Sequence, residues 1–184
     1  MPSGHSEYSH QLERLLLDVP IGDMCWAQNH SLSLNKLPQL RCLKQLEMTL
    51  HAYGGGSLLF FVMLTTACPL LSRFVVQFLY EARAPEQLMA AGLLHYERFE
   101  TDFRDHHHPC LKLVKLIDIA CYQSDLKFAS ALLQIAKSLD KIIIRPGTGY
   151  HGPGYLGPEK ISTVRERAKS LEAYLAHGAK LVIL

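Results

Sequence analysis

The chain has 184 residues, of which 48% are hydrophobic and 20% are charged, a composition typical of one folded domain with a sizeable core. Nineteen basic and seventeen acidic residues give a net charge of +2, which excludes the basic surplus expected of a nucleic-acid-binding domain. The polar start of the sequence predicts no secretory signal. The longest apolar run, residues 57–71, contains Pro69 and is too short to span a bilayer.

Five cysteines are spread along the chain without a CxxC pair: Cys25, Cys42, Cys68, Cys110 and Cys121. An odd number at wide spacings favours reduced, mostly buried thiols over a disulfide framework. We therefore expect a cytoplasmic or nuclear protein, with neither a membrane nor a nucleic acid as its partner.

The N-terminal segment, residues 1–36, has the least regular pattern. Leucines at helical spacing predict a short helix over His10–Val19, and the rest of this segment is expected to be irregular. From residue 37 onwards the pattern sharpens, and we place the start of the main domain there.

Residues 37–80 predict a strand, a helix and a second strand. Alternating apolar residues predict the first strand over about Lys44–His51. After three glycines, Ser57 is the expected cap of a helix over Leu58–Ala67. Phe and Val at alternate positions then predict a strand over Leu71–Tyr80.

The clearest pattern lies in Leu111–Ile144, after a segment, Ala84–Phe103, that is predicted to be a helix or a long insertion. An apolar strand over Leu111–Ala120 leads to an amphipathic helix with Ser124 as its cap, and a further strand follows over Lys141–Ile144. The apolar stripe of this helix consists of Leu126, Ala129, Leu133 and Ala136.

The C-terminal part predicts a loop, a helix and a strand. Arg145–Pro158 is rich in Gly and Pro and is expected to be a loop. Thr163 and Glu166 have the spacing of a capping box that would open a helix. Gly178 would end this helix before a short strand over Leu181–Leu184.

Strands are thus expected near residues 44, 71, 111, 140 and 180, and two of the intervals are about 28 residues long. One strand and one helix in roughly 20–29 residues is typical of leucine-rich repeats, which stack because no single unit buries its own apolar face. The sequence therefore predicts an α/β fold, a leucine-rich-repeat-like solenoid of short parallel strands that alternate with helices.

Several stretches are similar to one known family: LRCLKQLEMTL, ACPLLSRF, HPCLKLVKL, DLKFASALLQIAKSLDKIII and RERAKSLEAYLAHGAKLVIL. In order and spacing they resemble the C-terminal half of plant F-box proteins with leucine-rich repeats. The resemblance covers residues 37–184, and about 109–184 resembles the region called FBD in those proteins. It implies a protein-interaction module like the substrate-recognition part of a Skp1–cullin–F-box (SCF) ubiquitin ligase, which is not an enzyme and needs no cofactor.

The F-box, a short helical module that binds a Skp1-type adaptor, is not recognisable in residues 1–36. We therefore expect a fragment or a truncated relative, with the adaptor as a partner only of a longer form that carries an F-box. The alternative is a stand-alone interaction or regulatory protein that competes with full-length relatives for a target.

A small metal-dependent hydrolase is the alternative from another class. The segment DHHHPC contains His106–His108 and Cys110, whose imidazole and thiolate groups are zinc ligands by type. Consecutive His side chains do not converge on one ion, and His95 is a distant additional donor, so we predict no metal site. Cys68 and Cys121 are nucleophiles by type, but we expect them to be buried and inert.

The remaining polar features have ordinary interpretations. Gly54–Gly56 and the glycines of Gly147–Gly157 match neither nucleotide-binding fingerprint and predict turns. The exposed edges of the strands are where a solenoid contacts its partners. A solvated face is the default interpretation there, so no binding residue is assigned. The polar residues expected on these edges are Lys44, Gln45, Arg73, Gln77, Lys112 and Lys115.

Overall fold

Six strands form one parallel sheet in which the order in space is the order in the sequence. The computed structural model describes residues 12–20, 40–52, 58–80, 103, 106–147 and 158–184. The strands are β1 Arg14–Pro20, β2 Gln45–Ala52, β3 Arg73–Tyr80, β4 Leu113–Ile119, β5 Lys141–Pro146 and β6 Lys180–Ile183. The helices are α1 Leu59–Thr66, α2 Gln123–Ile135 and α3 Pro158–Lys169, and a 3-10 turn, Ser170–Tyr174, extends α3.

One face of the sheet forms the core with the helices. Two rows of apolar side chains lie in register across β2 to β5, and none is more than 3% exposed. The rows are Leu46, Phe74, Val114 and Ile142, followed by Met48, Val76, Leu116 and Ile144. Phe128 of α2 packs edge-on against Phe74 and Phe78, with ring centroids 6.5 and 6.3 Å apart. Since α2 also contacts α1 and the 3-10 turn, the helices form one layer on this face.

The same pair of backbone hydrogen bonds marks the start of β2, β3, β4 and β5. The carbonyl of Glu13 accepts the N–H groups of Lys44 and Gln45 at 2.9 and 3.0 Å, and the carbonyl of Lys44 accepts those of Ser72 and Arg73 at 2.9 and 3.1 Å. The carbonyls of Ser72 and Lys112 each accept two N–H groups at the start of the next strand in the same way. Lys44 to Ser72 and Lys112 to Asp140 are both intervals of 28 residues (72 − 44 and 140 − 112), which confirms the predicted spacing.

The predicted α/β class, with parallel strands that alternate with helices, is confirmed, and the sheet of the described residues is not closed. The five strands predicted from Lys44 onwards are confirmed with small shifts at their ends. The helix predicted over His10–Val19 is wrong, because Arg14–Pro20 form β1 and pair with β2. Leu12, Leu15, Leu16 and Val19 have helical spacing, whereas Leu15, Leu17 and Val19 alternate, and these last three pack against the core. Backbone pairing with β2 decided between the two periods.

Two predicted caps are wrong. Ser124 lies inside α2, whose first residue is Gln123, and Asp125 caps the helix instead by accepting the N–H of Tyr122 at 2.9 Å. Thr163 cannot open a helix that begins at Pro158. A carboxylate or hydroxyl three residues from another polar residue occurs inside helices as well as at their starts, so this spacing alone misplaces a terminus.

Other expectations have mixed outcomes. The apolar stripe of α2 is confirmed, with Ala129, Leu133 and Ala136 buried and Leu126 packed against the core. Gly178 has a φ of +89° in the turn before β6, but α3 and its 3-10 extension end before it, at Tyr174. The predictions for Ser57, Gly54–Gly56, Ala84–Asp102 and residues 148–157 lie outside the described residues.

Candidate functional site

The face of the sheet that points away from the helices is called here the open face, and three rows of residues lie in register across it. The row at the strand starts consists of Arg14, Gln45, Arg73, Leu113, Lys141 and Lys180. The middle row consists of Leu16, Glu47, Val75, Lys115, Ile143 and Val182. The third row consists of Asp18, Thr49, Gln77, Ile117 and Arg145. Because side chains alternate along a strand, these rows share the face opposite the core.

Four cations occupy the first row, and we call Arg14, Arg73, Lys141 and Lys180 the basic row. Glu47 contacts two of them, with its Oε1 atom 3.2 Å from Nη2 of Arg14 and 3.8 Å from Nη2 of Arg73. Among the described residues no carboxylate lies within 4.0 Å of Lys141 or Lys180. The Nε atom of Arg73 has no hydrogen-bond partner in the described structure. The basic row therefore carries more positive charge than the single negative charge of Glu47 can neutralise.

The middle row is mainly apolar, and we call Leu16, Val75, Ile143 and Val182 the apolar row. Leu16 is 64% exposed at one end of the row, whereas Val75 is 8% exposed in the middle of the sheet. Ile143 and Val182 are half-buried. An apolar strip beside a row of cations combines two kinds of contact that a binding surface uses.

A β-bulge brings Asp118 to the end of the open face. Register shifts between Ile117 and Ile119, and Asp118 adopts a left-handed backbone with a φ of 59°. Its carboxylate is paired twice with Arg145, with Nε 3.1 Å from Oδ1 and Nη2 2.9 Å from Oδ2. Hydrogen bonding to Asp118 raises the pKa of Arg145.

Gly147 is required by this bulge. A Cβ atom at Gly147 would lie 2.2 Å from the backbone oxygen of Asp118, so a larger residue does not fit without backbone movement. The N–H of Gly147 also donates to the carbonyl of Ile119 at 2.9 Å. Sequence reasoning did not single out Asp118 or Arg145, although an aspartate inside the apolar run LVKLIDI was an available signal.

The polar residues predicted at the strand edges separate into two groups. Gln45, Arg73, Lys115 and Gln77 lie together on the open face. Lys44 and Lys112 precede the strands and contact Glu13 and Asp140, with N···O distances of 2.6 and 3.9 Å. Hydrogen bonding to Glu13 raises the pKa of Lys44. Sequence reasoning missed Glu47, which was visible only as one charge among alternating residues.

Within the His106–His108 cluster, the buried residue His108 has a structural role. His108 is 2% exposed; its Nδ1 accepts the N–H of Leu111 at 3.1 Å, so Nε2 carries the proton and donates to the carbonyl of Cys68 at 2.9 Å. Burial lowers the pKa of His108. Within the described part of the chain no group of three His, Cys, Asp or Glu residues is arranged to hold a metal ion, whereas His95 and Asp105 lie outside it.

The two candidate nucleophiles are buried, as predicted. Cys68 is 0% and Cys121 1% exposed. Burial raises the pKa of Cys68 to about 11 and that of Cys121 to about 12. Because the thiolate is the reactive form, both sulfurs are poor nucleophiles at neutral pH. Cys42 and Cys110 are also free thiols.

A buried polar cluster joins β3, β4 and α2. The Tyr80 hydroxyl donates to Oδ2 of Asp125 at 2.7 Å and accepts the N–H of Ala120 at 3.0 Å, while Tyr122 N–H donates to the same Oδ2 at 2.9 Å. Asp125 is 2% exposed, and burial raises its pKa to about 6. Burial also raises the pKa of Tyr80. Tyr80 and Asp125 are both buried and hydrogen-bonded to each other, so the cluster holds these elements together.

Comparison of the chain with known protein families, curated proteins and solved structures gave no match in any of the three. In the described ranges, no helix has the length and apolar character needed to cross a bilayer.

Proposed function

We propose that this chain is a protein-interaction module, a leucine-rich-repeat-like solenoid that binds its partner through the open face. In this proposal it resembles the substrate-recognition part of an SCF-type ubiquitin ligase. The observation that carries the proposal is the strictly sequential order of six parallel strands, in which β2, β3, β4 and β5 each begin with two N–H groups donated to one carbonyl of the preceding segment.

The strand order supports a stacked repeat over a doubly wound sheet. Doubly wound sheets bind ligands in the crevice where the strand order reverses. The order of the described strands contains no reversal, because each strand lies beside its neighbours in sequence. A fold without such a crevice offers an extended surface as its binding site, which is how solenoids contact their partners.

The chemistry of the described residues also favours binding over catalysis. The side chains with the strongest environmental effects on their pKa, Tyr80, Asp125, Cys68 and Cys121, are buried and lie in the core or in the cluster between β3, β4 and α2. The open face instead combines exposed cations, paired carboxylates and apolar side chains. These groups suit recognition of another protein surface.

We further propose that any link to ubiquitin transfer depends on an F-box in a longer form of the protein. The alternative is a stand-alone regulator that occupies the same target without recruiting a ligase. A pull-down of this chain with a purified Skp1-type adaptor tests the first part. We expect no direct binding. Stoichiometric binding would show that this chain contains a site for the adaptor.

Site-specific photocrosslinking tests the role of the open face. A benzophenone side chain at Gln45, exposed on the open face, is compared with the same group at Lys127, exposed on α2. In an extract of cells that naturally make the protein, we expect the group at Gln45 to form a discrete covalent adduct with one protein. We expect the group at Lys127 to form none. An adduct confined to Lys127, or no adduct from either position, would contradict the proposed binding surface.

A further inference from the structure

We infer that the open face binds an extended acidic segment of a partner protein, laid across the strands. The carboxylates of this segment would contact the basic row, Arg14, Arg73, Lys141 and Lys180, and its apolar side chains would contact the apolar row. The inference rests on the proposed function and deepens it, because it names the chemical class of the partner.

Charge complementarity is the first argument. The basic row holds four cations, and Glu47 is the carboxylate that contacts it among the described residues. Lys115 adds a further cation in the middle row, beside Val75 and Ile143. Four or more cations with one neighbouring carboxylate repel one another, and an incoming acidic segment removes that repulsion.

The apolar row supplies the second argument. It lies two residues further along each strand, so it runs parallel to the basic row and about 7 Å from it. Ile143 and Val182 are half-buried and Leu16 is 64% exposed, so these three side chains offer apolar contact, whereas Val75, at 8% exposed, adds little. A partner segment that alternates acidic and apolar residues would present one type of side chain to each row.

Dimensions fit a short segment. Adjacent strands are about 4.8 Å apart, so the sheet from β1 to β6 spans about 24 Å. An extended chain advances about 3.4 Å per residue, so about seven residues cross the whole face. Carboxylates at alternate positions recur every ~7 Å, whereas the cations on β1, β3, β5 and β6 are about 10, 10 and 5 Å apart, a mismatch that flexible Lys and Arg side chains can span.

A protein segment fits this surface better than a nucleic acid. Single-stranded nucleic acids are held by cations together with aromatic side chains on which bases stack. The three described rows named above contain no aromatic residue, and the ring of His51, one row further along the same face, contacts Asp18 with Nε2 2.8 Å from Oδ1. They do contain carboxylates at Glu47 and Asp18, which oppose a phosphate backbone, and the whole chain carries a net charge of only +2.

Fluorescence anisotropy with a labelled peptide tests the inference. The probe is a peptide of about seven residues in which Glu and Val alternate, matched by a Gln–Val peptide of equal length. We expect the Glu–Val peptide to bind at least ~10-fold more tightly at low salt, and its affinity to fall as salt is raised.

Charge-reversal variants locate the site. We expect Lys141→Glu with Lys180→Glu to weaken binding about 10-fold or more, and the milder pair Lys141→Gln with Lys180→Gln to weaken it less. The matched control, Lys127→Glu with Lys137→Glu, reverses two exposed charges on and just after α2 and should change affinity less than about 2-fold. Circular dichroism melting checks that all variants remain folded.

Three outcomes would overturn the inference: equal binding of the two peptides, equal losses in the open-face and control variants, or tighter Lys141-dependent and Lys180-dependent binding of a labelled oligouridine. In each of these cases an adduct from the Gln45 photocrosslinker would still support the proposed function. If the crosslinker also fails, the proposed function fails with the inference.

Discussion

Replacement of Asp125 by Asn should remove a defined pH dependence of stability. The carboxylate is 2% exposed, and burial raises its pKa from 3.8 to about 6 in the folded protein. Between these values the folded state holds the proton more tightly than the unfolded state does. The free energy of unfolding therefore falls as pH rises through this window. A pKa difference of about 2 between the folded and unfolded states corresponds to about 3 kcal/mol in total.

The Asp125→Asn variant is close in shape and keeps an acceptor for its main donors. Its amide oxygen can accept from the Tyr80 hydroxyl and the N–H of Tyr122, the two groups that contact Oδ2 of Asp125. The amide does not titrate, so the free energy of unfolding of the variant should lack this dependence on pH. Relative to the variant, the wild-type protein should lose about 2 kcal/mol between about pH 4 and about pH 7, because at pH 4 the unfolded carboxyl is already more than half ionised.

Urea denaturation followed by circular dichroism at several pH values measures this difference. His108 has a lowered pKa and titrates with the opposite effect on stability, but it is present in both proteins and cancels. Tyr80→Phe provides a second check: loss of its hydrogen bond to Asp125 should raise the pKa of the carboxyl further and enlarge the pH-dependent loss. A wild-type-minus-variant difference constant within about 0.5 kcal/mol from about pH 4 to about pH 7 would refute the reasoning.

Two further predictions concern the backbone and His108. Gly147→Ala should lower the free energy of unfolding by about 3 kcal/mol, because its Cβ would lie 2.2 Å from the oxygen of Asp118. Gly178→Ala is the matched control: nothing lies within 4 Å of its Cβ, and the φ of +89° alone should cost about 1 kcal/mol. Equal losses in chemical denaturation would show that the contact with Asp118 is absent in solution. The His108 ring should titrate below 6.5 in NMR spectra and remain protonated at Nε2, because burial disfavours its cation and Nδ1 accepts from Leu111. Its contribution to stability should be lost as pH falls below 6.5, and titration at or above 6.5 would contradict the buried arrangement.

Local periodicity in the sequence was enough to predict most of the elements. Strands β2 and β3 follow alternating apolar residues, β4 to β6 follow short apolar runs, and α2 follows an apolar stripe that includes Ala129 and Leu133. These patterns report which side of an element is buried, and burial of apolar surface is the main driving force for forming it. The burial of Cys68 and Cys121 followed from the same patterns.

Features that depend on pairing between distant residues could not be read in this way. Residues 12–19 contain a set at helical spacing, Leu12, Leu15, Leu16 and Val19, and an alternating set, Leu15, Leu17 and Val19, and pairing with β2 selected the strand. The cap at Asp125 depends on where α2 begins, and the bulge at Asp118 depends on the close approach of Gly147. The pairs of Glu47 with Arg14 and Arg73 join three strands.

The amino-acid pattern alone thus specified an α/β chain with two strand intervals of about 28 residues, because period and burial are local properties. The basic row became visible only in the folded sheet. Arg14, Arg73, Lys141 and Lys180 are far apart along the chain, and a shift of one residue in any strand would move its cation to the opposite face. Register decides where these charges meet. It is a tertiary property, set by core packing and by the backbone hydrogen bonds at the strand starts.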